Sequence, residues 1–242
     1  PLNLHWFLPT AGDSRDIVPA GDDPHHRPPD IDYLAAVAHA AERSGFEAVL
    51  TPTGTWCEDS WIVTAALLRE TRRLKFLVAL RPGLVSPTIT AQMASTYQRV
   101  SGGRLLVNIV TGGDDSEQWR FGDWVDKEGR YARTGEFLEI LRGAWSDTPK
   151  DFEGEHYRVA GATTHTVPDP TPPIFFGGAS EAAERVAARH ADVYLTWGEP
   201  PAMVRERVAR TRELAEQALA RAAEKGWTTI SIKNDWIRVF AD

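Results

Sequence analysis

The sequence predicts an α/β chain folded as a TIM-type (β/α)8 barrel, and three observations carry that expectation. Short apolar runs alternate with helix-patterned segments along nearly the whole length, the pattern of a parallel sheet covered by helices. The G-x-G-x-x-G fingerprint of a doubly wound dinucleotide sheet, the competing architecture, is absent after the first strand. Strand–helix steps then continue with no signal of a switch in strand order, which favours a barrel over an open sheet.

The elements follow in order. Residues 4–8 (LHWFL) form an apolar run ended by Pro9, and a loop rich in Gly, Pro, Asp and His spans 10–29. Asp30 is placed to cap a helix whose Leu34, Val37, Ala38 and Ala41 share one face, closed by Gly45. Residues 46–50 make the second strand, 61–69 a helix after the acidic pair Glu58-Asp59, and 74–80 (LKFLVAL) the third strand. Ile89, Met93, Tyr97 and Val100 recur at helical spacing before Gly102-Gly103, and 105–110 (LLVNIV) form the fourth strand. A polar, Trp-bearing excursion at 111–129 leads into a helix over 132–145. Residues 151–160, with Gly154 in the middle, read as a hairpin inserted outside the barrel. Residues 173–176 and 193–196 are the fifth and sixth strands, separated by a helix at 182–188. A long helix follows, with Val204, Val208, Thr211, Ala215, Ala218 and Ala222 on one side, and 229–240 supply a seventh strand. The chain, 1–242, is read as one barrel domain with an atypical tail at 227–242.

Composition narrows the function classes. With 42% hydrophobic residues and nine Trp, the chain can bury a substantial core, so disorder is a poor reading. A net charge of −7 disfavours a phosphate-tracking nucleic-acid binder. The single cysteine, Cys57, excludes an intramolecular disulfide framework and a Cys-rich metal site, and points to the reducing cytoplasm. No run is long and apolar enough to span a bilayer, and no basic-then-apolar leader opens the chain, which begins at Pro1.

In a βα barrel the reactive face lies at the carboxyl ends of the strands. Those ends carry Pro9-Thr10, Pro52-Thr53-Gly54 with nearby Cys57, Leu80-Arg81, Asn108 to Gly113, Gly177-Gly178-Ala179-Ser180 and Thr196-Trp197-Gly198. They hold no closely spaced His/Asp/Glu metal set and no G-x-S-x-G elbow. Small residues, amides, hydroxyls and aromatics suit a planar organic cofactor that brings its own reactivity. Gly177-Gly178-Ala179-Ser180 ahead of a helix is the best local anion site; local sequence alone favours a tight turn with Ser180 as N-cap, and the two roles are compatible. Asn108 inside an apolar strand needs partners, either a ligand ring or neighbouring side chains. Tyr131 is read as either a phosphate contact or packing, and Trp6 and Trp197 as either pocket walls or core. The pairs and singles His25, His26, His156, His165 and His190 show no convergent partners and are read as non-catalytic.

Taken together, HWFLPT at 5–10, TPTGTWCEDSW at 51–61, LKFLVALRPG at 74–83, SPT at 86–88, LLVNIVTGG at 105–113, GRYAR at 129–133, FFGGAS at 175–180 and YLTWGEPP at 194–201 resemble the alkanesulfonate monooxygenases of the FMN-dependent, bacterial luciferase-like superfamily. The resemblance runs from Leu2 to about Lys225. It implies a two-component system, in which a separate NAD(P)H-dependent flavin reductase supplies FMNH2. The barrel then uses FMNH2 and O2 to cleave the C–S bond of an alkanesulfonate to aldehyde and sulfite. It further implies Ala79 at the strand end under the flavin ring, Asn108 on the ring, Tyr131, Ala179 and Ser180 at the FMN phosphate, Cys57 as the family's active-site cysteine, and Thr53 and Trp197 lining the pocket. Arg81 is read as a sulfonate contact or as a structural arginine capping the barrel mouth. Relatives of this kind are commonly homo-oligomers.

The text also departs from that pattern. Ala11 stands where many relatives have His, and the stretch TISIKNDWIRVFAD offers only Lys233 and Asp235 in place of an Arg-x-His pair. From Trp227 the resemblance stops, and the expectation is a barrel incomplete at its C-terminus through truncation or a frame shift, with a shortened natural variant as the alternative. The competing functions are a sibling enzyme acting on a sulfone or nitrogen compound, one using a deazaflavin, and a flavin-binding barrel without catalysis.

Overall fold

Alternate residues along a strand point to opposite faces, and this sorts the apolar runs into two layers. The computed structural model describes residues 3–12, 27–196, 199–224 and 237–239. Seven strands, β1 (His5–Phe7), β2 (Ala48–Thr51), β3 (Lys75–Leu80), β4 (Leu105–Ile109), β7 (Ile174–Gly177), β8 (Val193–Thr196) and β9 (Ile237–Val239), pair in chain order, all parallel. On one face Ala48, Leu77, Leu106, Phe175 and Val193 cluster with Leu50 and Leu195, forming the barrel interior. On the other, Val49, Phe76, Val78, Val107, Ile109 and Phe176 pack with Leu34, Leu67, Ala91, Phe137 and Leu141 from the surrounding helices. Burial on both faces is why these strands read as continuous apolar runs. Among the described residues this is an incomplete (β/α)8 barrel of the TIM type, with β1 and β9 at its edges. The inserted hairpin is β5 (Lys150–Glu153) paired antiparallel with β6 (Arg158–Ala162).

The helices begin where short polar side chains can accept from free N–H groups. Asp30 caps α1 (Ile31–Arg43), Asp59 caps α2 (Ser60–Leu67), Ser86 caps α3 (Pro87–Ser101), Asp126 caps α5 (Lys127–Ala144) and Ser180 caps α6 (Glu181–His190). Gly102 ends α3 in the left-handed conformation, with φ of 69°. The long helix α7 (Pro201–Glu224) packs on α6.

Three expectations need correction. The polar excursion contains a short helix, α4 (Asp115–Arg120), capped by Asp114, and α5 starts at Lys127 rather than at 132. In α3 the buried face is Thr90, Ala91, Ala94, Ser95, Tyr97 and Gln98, whereas Ile89 and Val100 are exposed. Small residues let that helix approach its neighbours closely, and apolar periodicity followed the wrong edge. Trp6, on the edge strand β1, is 47% exposed and packs edge-on against Phe46 rather than inside the core.

Candidate functional site

Parallel strands bring all their carboxyl ends to one side, so the residues just past β1, β2, β3, β4, β7 and β8 share a mouth. Ala79 on β3, Asn108 on β4 and Phe175 on β7 lie in one register row, spanning roughly 10 Å at normal strand spacing. Alternation from Leu77 and Leu106 turns Ala79 and Asn108 toward the interior. Ala79 is 1% and Asn108 8% exposed, so the small side chain and the amide form a floor just below the rim. Ser60, the first residue of α2, donates to the Ala79 carbonyl at 2.6 Å and fixes that strand end.

The β7–α6 turn forms one end of the mouth. A Cβ on Gly178 would stand 2.5 Å from Ala183 Cβ and 3.3 Å from Tyr131 Oη, so a side chain there would displace both the helix start and the phenol. Tyr131, on the first turns of α5 and 8% exposed, leans its ring on Phe176 and brings its hydroxyl to this turn. Ser180 is the N-cap, its Oγ accepting from Ala183 N at 3.2 Å, and Ala179 is exposed beside it. The Tyr194 hydroxyl donates to the Gly178 carbonyl, which holds the turn from behind. Two acidic residues, Glu181 and Glu184, lie in the first turn of α6 and would oppose an anion there. Arg210 offsets the buried Glu184 with hydrogen bonds of 3.0 and 2.8 Å.

The other end lies past β2 and β3. Arg81, 6% exposed, donates from Nη2 to the Thr53 carbonyl at 3.2 Å and to Glu117 Oε2 at 2.6 Å. Phe121 lies 5.3 Å from its guanidinium carbon. Cys57 is half-buried, contacts the Gly54 carbonyl at 3.6 Å and the Thr10 hydroxyl, and feels the charges of Glu117 and Arg81. Burial pushes its thiol up to about 11, so at neutral pH it is a neutral S–H, not a thiolate.

Thr53, Cys57 and Arg81 therefore meet at one end of the floor, and Tyr131, Ala179 and Ser180 at the other. Trp197, Lys233, Asp235, His25 and His26 lie outside the described residues. Reading the residues alone missed Glu117 and Phe121. A weak signal existed, since Asp114 stands three before Glu117 in the spacing of a helix start, but the segment is too polar to show a helical face. Burial pushes His190 down to about 4, making it a neutral packed imidazole.

A cavity of about 650 Å³ is lined by Gly83, Leu84, Phe121, Asp123, Trp124 and Arg133, and its lining does not include Arg81, Asn108 or Ser180. Among the described residues, no group of three His, Cys, Asp or Glu could hold a metal ion, and no helix is long and apolar enough to cross a membrane.

Residues 2–229 match the family model described as luciferase-like monooxygenase. Solved structures with the same fold include the EDTA monooxygenase EmoA from Chelativorans sp. BNC1, at a TM-score of 0.77 and 20% identity over 89% of this chain and 58% of that one. The riboflavin lyase RcaE, solved with modified FMN and riboflavin, matches at 0.80 and 21% over 98% and 61%. The long-chain alkane monooxygenase LadA matches at 0.79 and 19% over 98% and 63%. The chain thus spans about three fifths of the length of these neighbours, and the likeness is one of fold.

Proposed function

The chain belongs to the luciferase-like monooxygenase family, and from that premise we propose that it is the barrel part of a reduced-flavin-dependent monooxygenase cleaving alkanesulfonates. The observation that carries the reading is the bipolar mouth, with a Gly-Gly turn and phenol at one end, an arginine and thiol at the other, and a small, buried floor between them. This arrangement fits FMN. The turn at Gly178, narrowed by Tyr131, suits a phosphate approached by backbone, and the buried Thr111 hydroxyl past β4 has no partner among the described residues. Tyr131, Ala179 and Ser180 would hold the phosphate, and Ala79 and Asn108 would underlie the ring system.

Bound reduced flavin supplies the reaction with O2. The chain's own residues do the rest. Asn108 offers an amide with both donor and acceptor groups to the ring edge. Cys57, kept protonated, presents an S–H rather than a negative charge at the rim. Arg81 and Thr53 orient the substrate's polar head, while Phe121 and the α4 segment exclude water from that end. The reductase that delivers the flavin is a separate NAD(P)H-dependent component, the setting is the cytoplasm, and the working unit is a homo-oligomer.

The test is a coupled assay with an added flavin reductase, FMN, O2 and octanesulfonate, reading sulfite release. Sulfite formed in proportion to NAD(P)H beyond the reductase-only background supports the reading. Turnover of a sulfone or a nitrogen compound with none of octanesulfonate replaces the substrate, and tight flavin binding with no product from any of them leaves a non-catalytic flavin barrel.

A further inference from the structure

Arg81 presents five N–H hydrogens, and the structure fills only part of them. Nη2 serves Thr53 and Glu117, while Nε and Nη1 are buried without a partner among the described residues. Glu117 reaches it from α4, which stands in the excursion after β4. The carboxylate is itself enclosed, its side chain 16% exposed against 5% for Arg81. It seats against Gly54, where a Cβ would lie 2.7 Å from Glu117 Oε1, and that oxygen accepts only a long bond of 3.3 Å from Thr55 N. Arg133 and Arg207 also bury nitrogens without hydrogen-bond partners among the described residues, and what sets Arg81 apart is its place at the carboxyl ends of the strands, bonded to Thr53 and near Cys57.

We propose that Glu117 is an internal stand-in for the substrate's anionic head group, occupying Arg81 until a sulfonate replaces it. The inference rests on the sulfonate reading above. Its physical basis is charge compensation. An arginine enclosed at the mouth needs an anion when no substrate is bound, and leaving it unpaired would be costly. A carboxylate brings two oxygens to the guanidinium, whereas a sulfonate brings three and can meet the Nε and Nη1 donors that Glu117 leaves open. Exchange of one anion for the other keeps the charge of the site constant and moves the Glu117 carboxylate off Arg81. Glu117 is therefore a specificity-determining residue that competes with every anionic substrate and with no neutral one.

The full chain, saturated with FMN, is titrated calorimetrically with octanesulfonate and with octanol as the uncharged control. Glu117→Gln is expected to bind octanesulfonate about tenfold more tightly than the parent, with octanol unchanged. Glu117→Asp, which keeps the charge but retracts it, is expected to tighten sulfonate binding by a smaller factor and covers the case in which Glu117→Gln does not fold. Arg81→Met is expected to abolish the difference between the two ligands. If the parent binds octanesulfonate but neither Glu117 variant binds it more tightly, the stand-in role is overturned while the sulfonate reading survives. If the parent and every variant bind FMN but no octanesulfonate, the sulfonate reading falls and the stand-in role with it.

Discussion

Arg104 and Arg81 are both buried arginines attached to the central strands, one at the amino end of the sheet and one at the carboxyl end, and they are treated differently. Arg104, just before β4, donates to Thr71 Oγ1 at 2.9 Å, Leu74 O at 3.2 Å, Leu68 O at 2.7 Å and Ser101 O at 2.9 Å. Its neighbours follow suit. Glu42 accepts from the backbone N–H groups of Arg72, Arg73 and Leu74, and Gln98 ties Leu105 N to Pro170 O. At the carboxyl end, among the described residues, Arg81 keeps two nitrogens unpaired, and the buried hydroxyls of Thr51, Thr111 and Thr196 lack partners. The amino end is tied mainly within the chain, with the Tyr97 hydroxyl near Arg104 an exception among the described residues, whereas the carboxyl end holds more polar capacity in reserve. That division is the one expected of a βα barrel whose chemistry lies at the carboxyl ends of its strands.

The comparison breaks first on stability. Arg104→Met strands three carbonyls and a hydroxyl, and is expected to cost about 3 kcal/mol, lowering the melting temperature by roughly 10 °C. Flavin affinity at a temperature where the variant remains folded should not change. An unaltered thermal melt would show that the amino end is not the stabilising end. A smaller effect comes from His190, the last residue of α6, on the amino-end side of the sheet. Burial, aided by the charges of Arg142 and Arg189, pushes its imidazole down to about 4. Between pH 6.5 and 4 the unfolded chain takes up a proton that the folded chain refuses, so stability falls as pH drops through that window. Urea midpoints should register a loss of about 2 kcal/mol from pH 7 to pH 5, and His190→Gln should flatten that slope. Smaller again is the double variant Arg81→Met with Glu117→Gln, which removes both charges of the pair and is expected to cost about 1 kcal/mol of stability. A loss as large as that for Arg104 would erase the contrast between the two ends. The least effect is expected at Cys57. Cys57→Ser should leave the melt nearly unchanged, and iodoacetamide should label the parent slowly at pH 8 and faster as pH approaches 11, in keeping with a thiol raised by burial.

The sheet was readable because strands buried on both faces are continuous apolar runs, and β8 was expected at 193–196, where it lies. The site's outline was readable too, because glycines and N-capping serines at strand ends mark where backbone meets helix start. What escaped were features set by tertiary contact. Apart from Tyr97, the buried face of α3 is built of small or polar residues such as Ala91, Ala94, Ser95 and Gln98, so Ile89 and Val100 in the apolar pattern pointed elsewhere. The partner of Arg81 is a carboxylate 36 residues away on a helix too short and polar to show an amphipathic pattern. No local rule links Glu117 to Arg81; only the folded mouth does.

Flavin binding at this mouth hinges on the Gly178 turn acting as the phosphate seat. Titration of the anaerobic, reduced chain with FMNH2 and with reduced riboflavin, repeated for Gly178→Ala and Tyr131→Phe, tests this directly. A phosphate seat there gives one FMNH2 per chain, weaker binding of riboflavin, and variants in which the preference for the phosphorylated form is lost. Equal affinity for the two flavins in the parent chain, or a preference that survives both substitutions, would contradict it.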